Sequence, residues 1–298
     1  MDVYIVVRIF DWLYNEVVHL SQIIMNAILV PTDFSENAYV AAEYACALAQ
    51  QSGQKVQLLH VYIALYSGYS SVGQSVKQIQ WAETESAEAM RNLVANLSRQ
   101  FPDVLVEGDC VRGFMIDVVT DKLKRGGYSL VVMGTKGATD LAENVLGSTT
   151  YGVIRRSLVP VLVVPIDTPD FSLQRAGFFT AYKDDELDAL LAFQQAVELH
   201  PQLTVVHFYR KGEKSPDKAR ERWLRKVKEA FPDREIAGKA VAVDRIDLTA
   251  VTETARSEAL DLLVFARPHR SFFEALFVPS LTKAVANYPT VPSLFINI

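Results

Sequence analysis

Cysteine is scarce in this 298-residue chain, with two in all, Cys46 and Cys110. Two thiols cannot build a disulfide framework, so a reducing compartment and a cytoplasmic location are expected. Positive charge is also in short supply. Against 35 Asp and Glu stand 30 Lys and Arg, a net charge of -5. That balance lacks the basic face of a general nucleic-acid binder, so no nucleic-acid partner is expected. Nor is the apolar start of the chain free of charge. Residues 1–24 are apolar but broken by Asp2, Arg8, Asp11, Glu16 and His19. A spanning helix needs about 20 nearly uncharged residues, so no membrane span is expected there. A signal peptide's basic start and small-residue cleavage site are missing too. Three readings of 1–24 stay open. It is upstream sequence ahead of a start at Met25, an amphipathic helix docked on the protein, or a helix on a membrane surface. The last ordinarily needs a basic polar face, which this segment lacks.

What is present is hydrophobic material, 50% of residues, over a length that suits two domains. From residue 27 strands and helices alternate. The first half reads as strands at 27–32, 55–62, 103–109, 129–134 and 160–165. Its helices fall at 35–53, 78–100, 114–125 and from 148. The second half reads as strands at 176–181, 203–209, 235–243, 261–266 and 291–297, with helices at 184–199, 216–231, 247–259 and near 280–287. Short apolar runs between turn residues are buried parallel strands, and this alternation implies βαβ units. The halves repeat. LLHVY (58–62) matches VVHFY (205–209), LVVMG (130–134) matches LLVFA (262–266), and VPVLVVP (159–165) matches VPSLFIN (291–297). The last two pairs share one offset of 132 residues. The fold class expected is α/β, two doubly wound parallel five-stranded sheets in tandem, and the strand order taken for each is 3-2-1-4-5.

In such sheets a ligand sits beyond the carboxyl ends of the strands, where the order reverses. The residues after strands one and four are thus informative. After strand four come Gly134 and Gly137, nine residues, then Gly147, Ser148 and Thr149 opening a helix. Glycines let backbone turn sharply and let a ligand approach. A helix start offers free N–H groups to an anion. The set reads as a cradle for a polyphosphate. Asp33 follows strand one, where a carboxylate suits the hydroxyl or amine groups of a nucleoside.

The spacing G-x-x-G, nine residues, G-S resembles the ATP-binding motif of the universal stress protein family. VPTDFS (30–35), LLHV (58–61) and VPVLVVP (159–165) resemble the same family at the corresponding places. The resemblance covers about 25–298, with the sharp motifs in the first half. It implies a Rossmann-like fold of the adenine nucleotide alpha hydrolase type. It also implies dimers, mimicked here by the two halves of one chain, with a further homodimer left open. By that likeness Pro31, Thr32, Asp33 and Val61 line an adenosine pocket. Met133, Gly134 and Gly137 support ribose and phosphates, and Gly147, Ser148 and Thr149 hold the phosphates of ATP, with or without Mg²⁺. The expected organisation is an extension at 1–24, an intact domain at 25–168 and a degenerate one at 173–298.

The degenerate reading comes from substitution. At the offset of 132, Gly134, Gly137 and Gly147 become Ala266, His269 and Pro279, and only Ser148 keeps its type, as Ser280. Side chains there narrow a pocket that needs bare backbone, and proline removes a donor. Ala181 and Tyr182 stand near the Asp33 position, with Asp184 close by. Arg267, His269 and Arg270 read either as a different anion site or as a solvated basic loop. SGYSSVGQS (67–75), flanked by Tyr66, Tyr69 and Trp81, reads as a lid or a plain connection. Cys46 and Cys110 read as ordinary buried or half-buried thiols. His60 and His207 recur at one place in each half, which suits packing better than catalysis or a metal. No Walker lysine motif, Ser-Gly-Gly loop or His-x-Gly-His motif occurs. No catalytic residue is assigned. The function expected is an ATP-binding stress-response or regulatory module, with a scaffold that binds no nucleotide and a weak ATPase as rivals.

Overall fold

The computed structural model describes residues 27–63, 72–135, 148–232, 234–267, 285 and 290–298. The run AILVPT forms β1 (Ala27–Thr32), buried along its whole length, as a parallel strand covered on both faces must be. Ser35 caps α1 (Glu36–Ser52), its hydroxyl accepting from the Ala38 N–H. Gly53 ends that helix at φ 74°, a left-handed stop for which glycine carries no Cβ penalty. The first half continues through β2 (Lys55–Tyr62), α2 (Val72–Gln100), β3 (Val106–Arg112), α3 (Met115–Lys124), β4 (Tyr128–Thr135), α4 (Ser148–Arg156) and β5 (Val161–Pro165). The second repeats the order with β6 (Arg175–Phe179), α5 (Glu186–Val197), β7 (Gln202–Arg210), α6 (Asp217–Ala230), β8 (Ile236–Val243), α7 (Leu248–Ser257), β9 (Leu262–Arg267) and β10 (Ser293–Asn297).

The strands form one ten-stranded sheet in the order β3-β2-β1-β4-β5-β10-β9-β6-β7-β8. Each half keeps the expected order 3-2-1-4-5, and the two sheets fuse edge to edge. The seam is antiparallel, with Ser293 opposite Val163, Leu294 opposite Leu162 and Phe295 opposite Val161. This pairing joins the matched segments 159–165 and 291–297. It covers two strand edges that would otherwise expose unpaired backbone groups.

Two cores lie on the two faces of the sheet. One packs α1, α2, α5 and α6 against residues such as Ile28, Val30, Phe178 and Val264. The other packs α3, α4 and α7 against Leu29, Val131, Phe179 and Phe265. Both are continuous from one half to the other.

Three of the differences from the sequence-read boundaries bear on the site and its surroundings. β3 starts at Val106 rather than residue 103. The Val104 N–H bonds back to the Phe101 carbonyl at 3.1 Å, so 103–105 is the turn off α2, with Val104 buried as an anchor. Residues 72–75, read as part of a loop, already belong to α2. β6 ends at Phe179 rather than residue 181, because Thr180 begins the loop described below. The helix expected near 280–287 lies outside the described residues except at 285, as do 1–24 and the stretch 64–71. No helix among the described residues is long and apolar enough to cross a membrane.

Candidate functional site

Strand order reverses between β1 and β4, and there the two strands part. Their ladder runs to Leu29 opposite Val131 and stops, though β1 continues to Thr32 and β4 to Thr135. Pro31 lies just past the last pair and has no N–H to extend it. The switch-point crevice belongs at the carboxyl ends of these strands, with Pro31 on β1, Met133 on β4 and Val61 on β2 two residues past Leu59, the partner of Pro31.

The loop leaving β1 is fixed by its neighbours. The Thr32 carbonyl accepts from His60 Nδ1 at 2.8 Å. Since a carbonyl only accepts, Nδ1 carries a proton. Thr32 Oγ1 accepts from the Phe34 N–H at 3.0 Å. Phe34 sits in the left-handed region at φ 64°, and its ring lies 4.4 Å from the His60 ring, centroid to centroid. This sharp bend leaves Asp33 exposed at the crevice mouth. Its Oδ1 accepts from the Ser35 N–H at 3.0 Å and the Ser35 hydroxyl at 2.5 Å.

On the other side, Met133 is buried. Gly134 lies inside β4 rather than in a turn, and the reason for glycine there is close packing. A Cβ would fall 2.0 Å from the Asn37 carbonyl oxygen and 2.5 Å from its carbon. The strand and the first turn of α1 meet backbone to backbone. Gly137 and Gly147 lie outside the described residues. Ser148 begins α4, and in its first turn Thr149 is half-buried and Thr150 buried. The structure thus gathers Pro31, Thr32, Asp33, Val61, Met133 and Gly134 at neighbouring strand ends, with Ser148 and Thr149 at the start of α4.

The second half builds the same loop. The Thr180 carbonyl accepts from His207 Nδ1 at 2.8 Å, and Thr180 Oγ1 accepts from the Tyr182 N–H at 2.7 Å. Tyr182 is left-handed at φ 59° and its ring stacks on His207 at 4.5 Å. Ala181 therefore stands where Asp33 stands, as the sequence suggested. Asp184 turns away to Lys226, 2.7 Å off. A buried carboxylate fills the loop instead. Glu186, 4% exposed, accepts from the Thr180 hydroxyl and from the N–H groups of Ala181 and Lys183, each at 3.0 Å. Burial pushes its carboxyl pKa up, and those hydrogen bonds offset part of the rise. Burial also holds His207 below its ordinary value.

The crevice itself is shut. The β6–β9 ladder continues two pairs further, through Phe178 opposite Val264 and Phe179 opposite Phe265. Phe179 occupies the place of Pro31 and can donate the missing N–H. Phe208 replaces Val61, Phe265 replaces Met133 and Phe295 replaces Val163. Their rings pack in a row, with centroids 5.6 Å apart for Phe208 and Phe179, 4.9 Å for Phe179 and Phe265, and 5.5 Å for Phe265 and Phe295. None of these phenylalanines was singled out from sequence. Carrying the repeat offsets over to Pro31, Val61 and Met133, and not only to the glycines, is the signal that finds them.

Of the proposed basic cluster, Arg267 reaches Asn297, with Nη1 3.2 Å from Oδ1, while His269 and Arg270 lie outside the described residues. Burial raises the Cys46 thiol to about 12 and Cys110 less far, so both are thiols rather than thiolates at neutral pH.

The sequence model of the Universal stress protein family matches residues 25–165. A universal stress protein of Methanocaldococcus jannaschii is 31% identical over 150 residues, spanning 46% of this chain and 93% of that protein. One from Synechocystis is 30% identical over 150 residues, 46% of this chain and 96% of that protein. Among solved structures, a universal stress protein from Archaeoglobus fulgidus superposes with a TM-score of 0.68 at 18% identity, covering 91% of this chain and 98% of that one. That likeness speaks for the fold alone, and it extends over both halves.

Proposed function

Because the chain belongs to the universal stress protein family, we propose that its first half is a working adenine-nucleotide site and its second a closed copy. The observation that carries this reading is the parting of β1 and β4 beyond Leu29 and Val131. It leaves room between Pro31, Val61 and Met133 where the other half packs phenylalanine. In this reading the base and ribose of ATP lie against Pro31, Thr32, Val61 and Met133, and Asp33 meets a hydroxyl or amine. The phosphates run past Gly134 and Gly137 to Gly147, Ser148 and Thr149. The N–H groups and the partial positive charge at the start of α4 favour them there. Mg²⁺ would neutralise part of the phosphate charge.

The domains carrying these roles are 25–168 and 173–298, and the halves pair within one chain as a dimer substitute. The protein is a cytoplasmic stress-response or regulatory module whose nucleotide state sets its conformation or its partner. Turnover is not its main business. Among the described residues, Asp33 is the carboxylate at the crevice mouth, and it is tied to Ser35, so hydrolysis would be slow.

Calorimetric titration with ATP and Mg²⁺ tests the reading. One ATP per chain for the wild type, and none for Gly137→Asp, is the expected pair of results. Two per chain would mean that the second half is open. No binding to protein freed of carried-over nucleotide would leave a scaffold that uses the fold without the ligand.

A further inference from the structure

α4 is a rod of nine residues, about 13 Å long at 1.5 Å per residue. Its first turn carries Ser148 and Thr149. Its other end is gripped by a residue of the second half. Asn297 Nδ2 donates to the Ile154 carbonyl at 2.8 Å and to the Ser157 carbonyl at 2.9 Å. Ile154 is among the last four residues of the helix, whose carbonyls have no partner within it. The Asn297 oxygen accepts from Arg267 Nη1. This orientation of the amide is the one that satisfies every group, because carbonyls only accept and a guanidinium only donates.

Neither partner is free to drift. Asn297 is the last residue of β10, and the β9–β10 ladder places it directly opposite Arg267. The Ile298 N–H bonds to the Arg267 carbonyl at 2.9 Å and continues that ladder. β10 is also the strand of the seam with β5. Arg267 stands one residue past Ala266, at the place of Thr135, so it belongs to the second half's remnant of the nucleotide loop. On its flank α4 lies tight against α3, since a Cβ on Gly152 would fall 2.3 Å from Ile116 Cδ1. Val153 and Ile154 are buried against the sheet. The helix is thus held at its side and base by the core, and at its carboxyl end by Asn297.

We propose that Asn297 is a positioning residue for the phosphate end of the first half's site, a role that rests on the nucleotide reading above. By fixing the carboxyl end of α4 it sets where the N–H groups of the first turn stand. Arg267 holds the Asn297 amide in the orientation that does this. The closed half thereby contributes to the open one, and nucleotide held at the start of α4 is felt at the β9 end of the second half.

The test uses the full chain. ATP affinity is measured by calorimetry for wild type, Asn297→Ala, Asn297→Asp and Arg267→Met. Amide exchange across 149–157 is followed in the nucleotide-free proteins, together with thermal melts. Asn297→Ala should bind ATP roughly 3- to 10-fold more weakly and exchange faster along α4. Asn297→Asp keeps an oxygen for Arg267 but loses the donor, so it should behave alike. Arg267→Met should show a smaller loss, and it carries the test if the Asn297 variants do not fold. A lowered melting temperature with unchanged ATP affinity would reduce Asn297 to a structural cap and overturn the proposal. A wild type that binds no ATP would instead overturn the nucleotide reading and remove the basis for the positioning role.

Discussion

Pro31, Val61 and Met133 in one half correspond to Phe179, Phe208 and Phe265 in the other, on strands that hold the same places in the two sheets. The two sheets share their order, their Thr–His hydrogen bond and their left-handed aromatic residue after the first strand. They differ in whether the core is allowed to reach the strand ends. Fully burying one phenylalanine stabilises by about 1.5–3 kcal/mol, and the first half places smaller apolar side chains at the three positions, of which Pro31 and Met133 are themselves buried. The ring packing that joins the strand ends of the second half is thus missing from the first. The second half shows what the same backbone does without that constraint. It zips two more ladder pairs and stacks its rings. It also places a carboxylate of its own on the N–H groups of the loop.

Emptying the closed half is the most severe way to challenge this contrast. Phe265→Ala should cost about 3–5 kcal/mol in denaturant unfolding, and ATP stoichiometry should stay at one, because Glu186 and the continuous ladder remain. A second nucleotide would mean that ring volume alone separates the halves. The reverse experiment fills the open half. Val61→Phe with Met133→Phe should weaken ATP binding by about 100-fold or more, near 2.7 kcal/mol, in a protein that still folds. Unchanged affinity would place the adenine elsewhere. Gly134→Ala probes the frame of the crevice rather than its lining. With its Cβ 2.0 Å from the Asn37 carbonyl oxygen, it should destabilise by roughly 1–3 kcal/mol, read as a lower melting temperature.

The smallest effect is one of pH. The Glu186 carboxyl is held above its ordinary value of 4.5 by burial. A group raised in the folded state supports folding fully below its unfolded pKa. That support is lost as pH rises through the folded value. Wild type should therefore gain on Glu186→Gln as pH falls from neutrality toward 4.5, in paired thermal melts. A gap that stays constant with pH would show that Glu186 is not the titrating group.

Much of this was legible in the sequence, and the rest was hidden for physical reasons. Alternating strand and helix patterns and the 132-residue offset made two matching α/β halves legible, and the structure orders each as 3-2-1-4-5. The sequence put Ala181 and Tyr182 near the Asp33 position, and the structure singles out Ala181, because the loop hydrogen bonds of Thr180 and Tyr182 repeat those of Thr32 and Phe34. The phenylalanines went unnoticed because an apolar residue replacing another leaves a strand pattern unchanged. Gly134 looked like a turn residue, since no sequence shows which helix will press on a strand. Glu186 and Asn297 sit in a helix's first turn and at a strand's end, where acidic and amide residues are commonplace. Only the assembled fold buries the one and aims the other at α4.

The seam between β5 and β10 has a consequence for how the molecule behaves on dilution. Its two strands belong to one chain, joined through the nine-residue connection between β5 and β6, residues 166–174. A short tether of this kind holds its ends at an effective concentration in the millimolar range. Edge pairing that separate subunits could keep only above their dissociation constant is here independent of how much protein is present. Each half is then free to diverge without altering its supply of a partner.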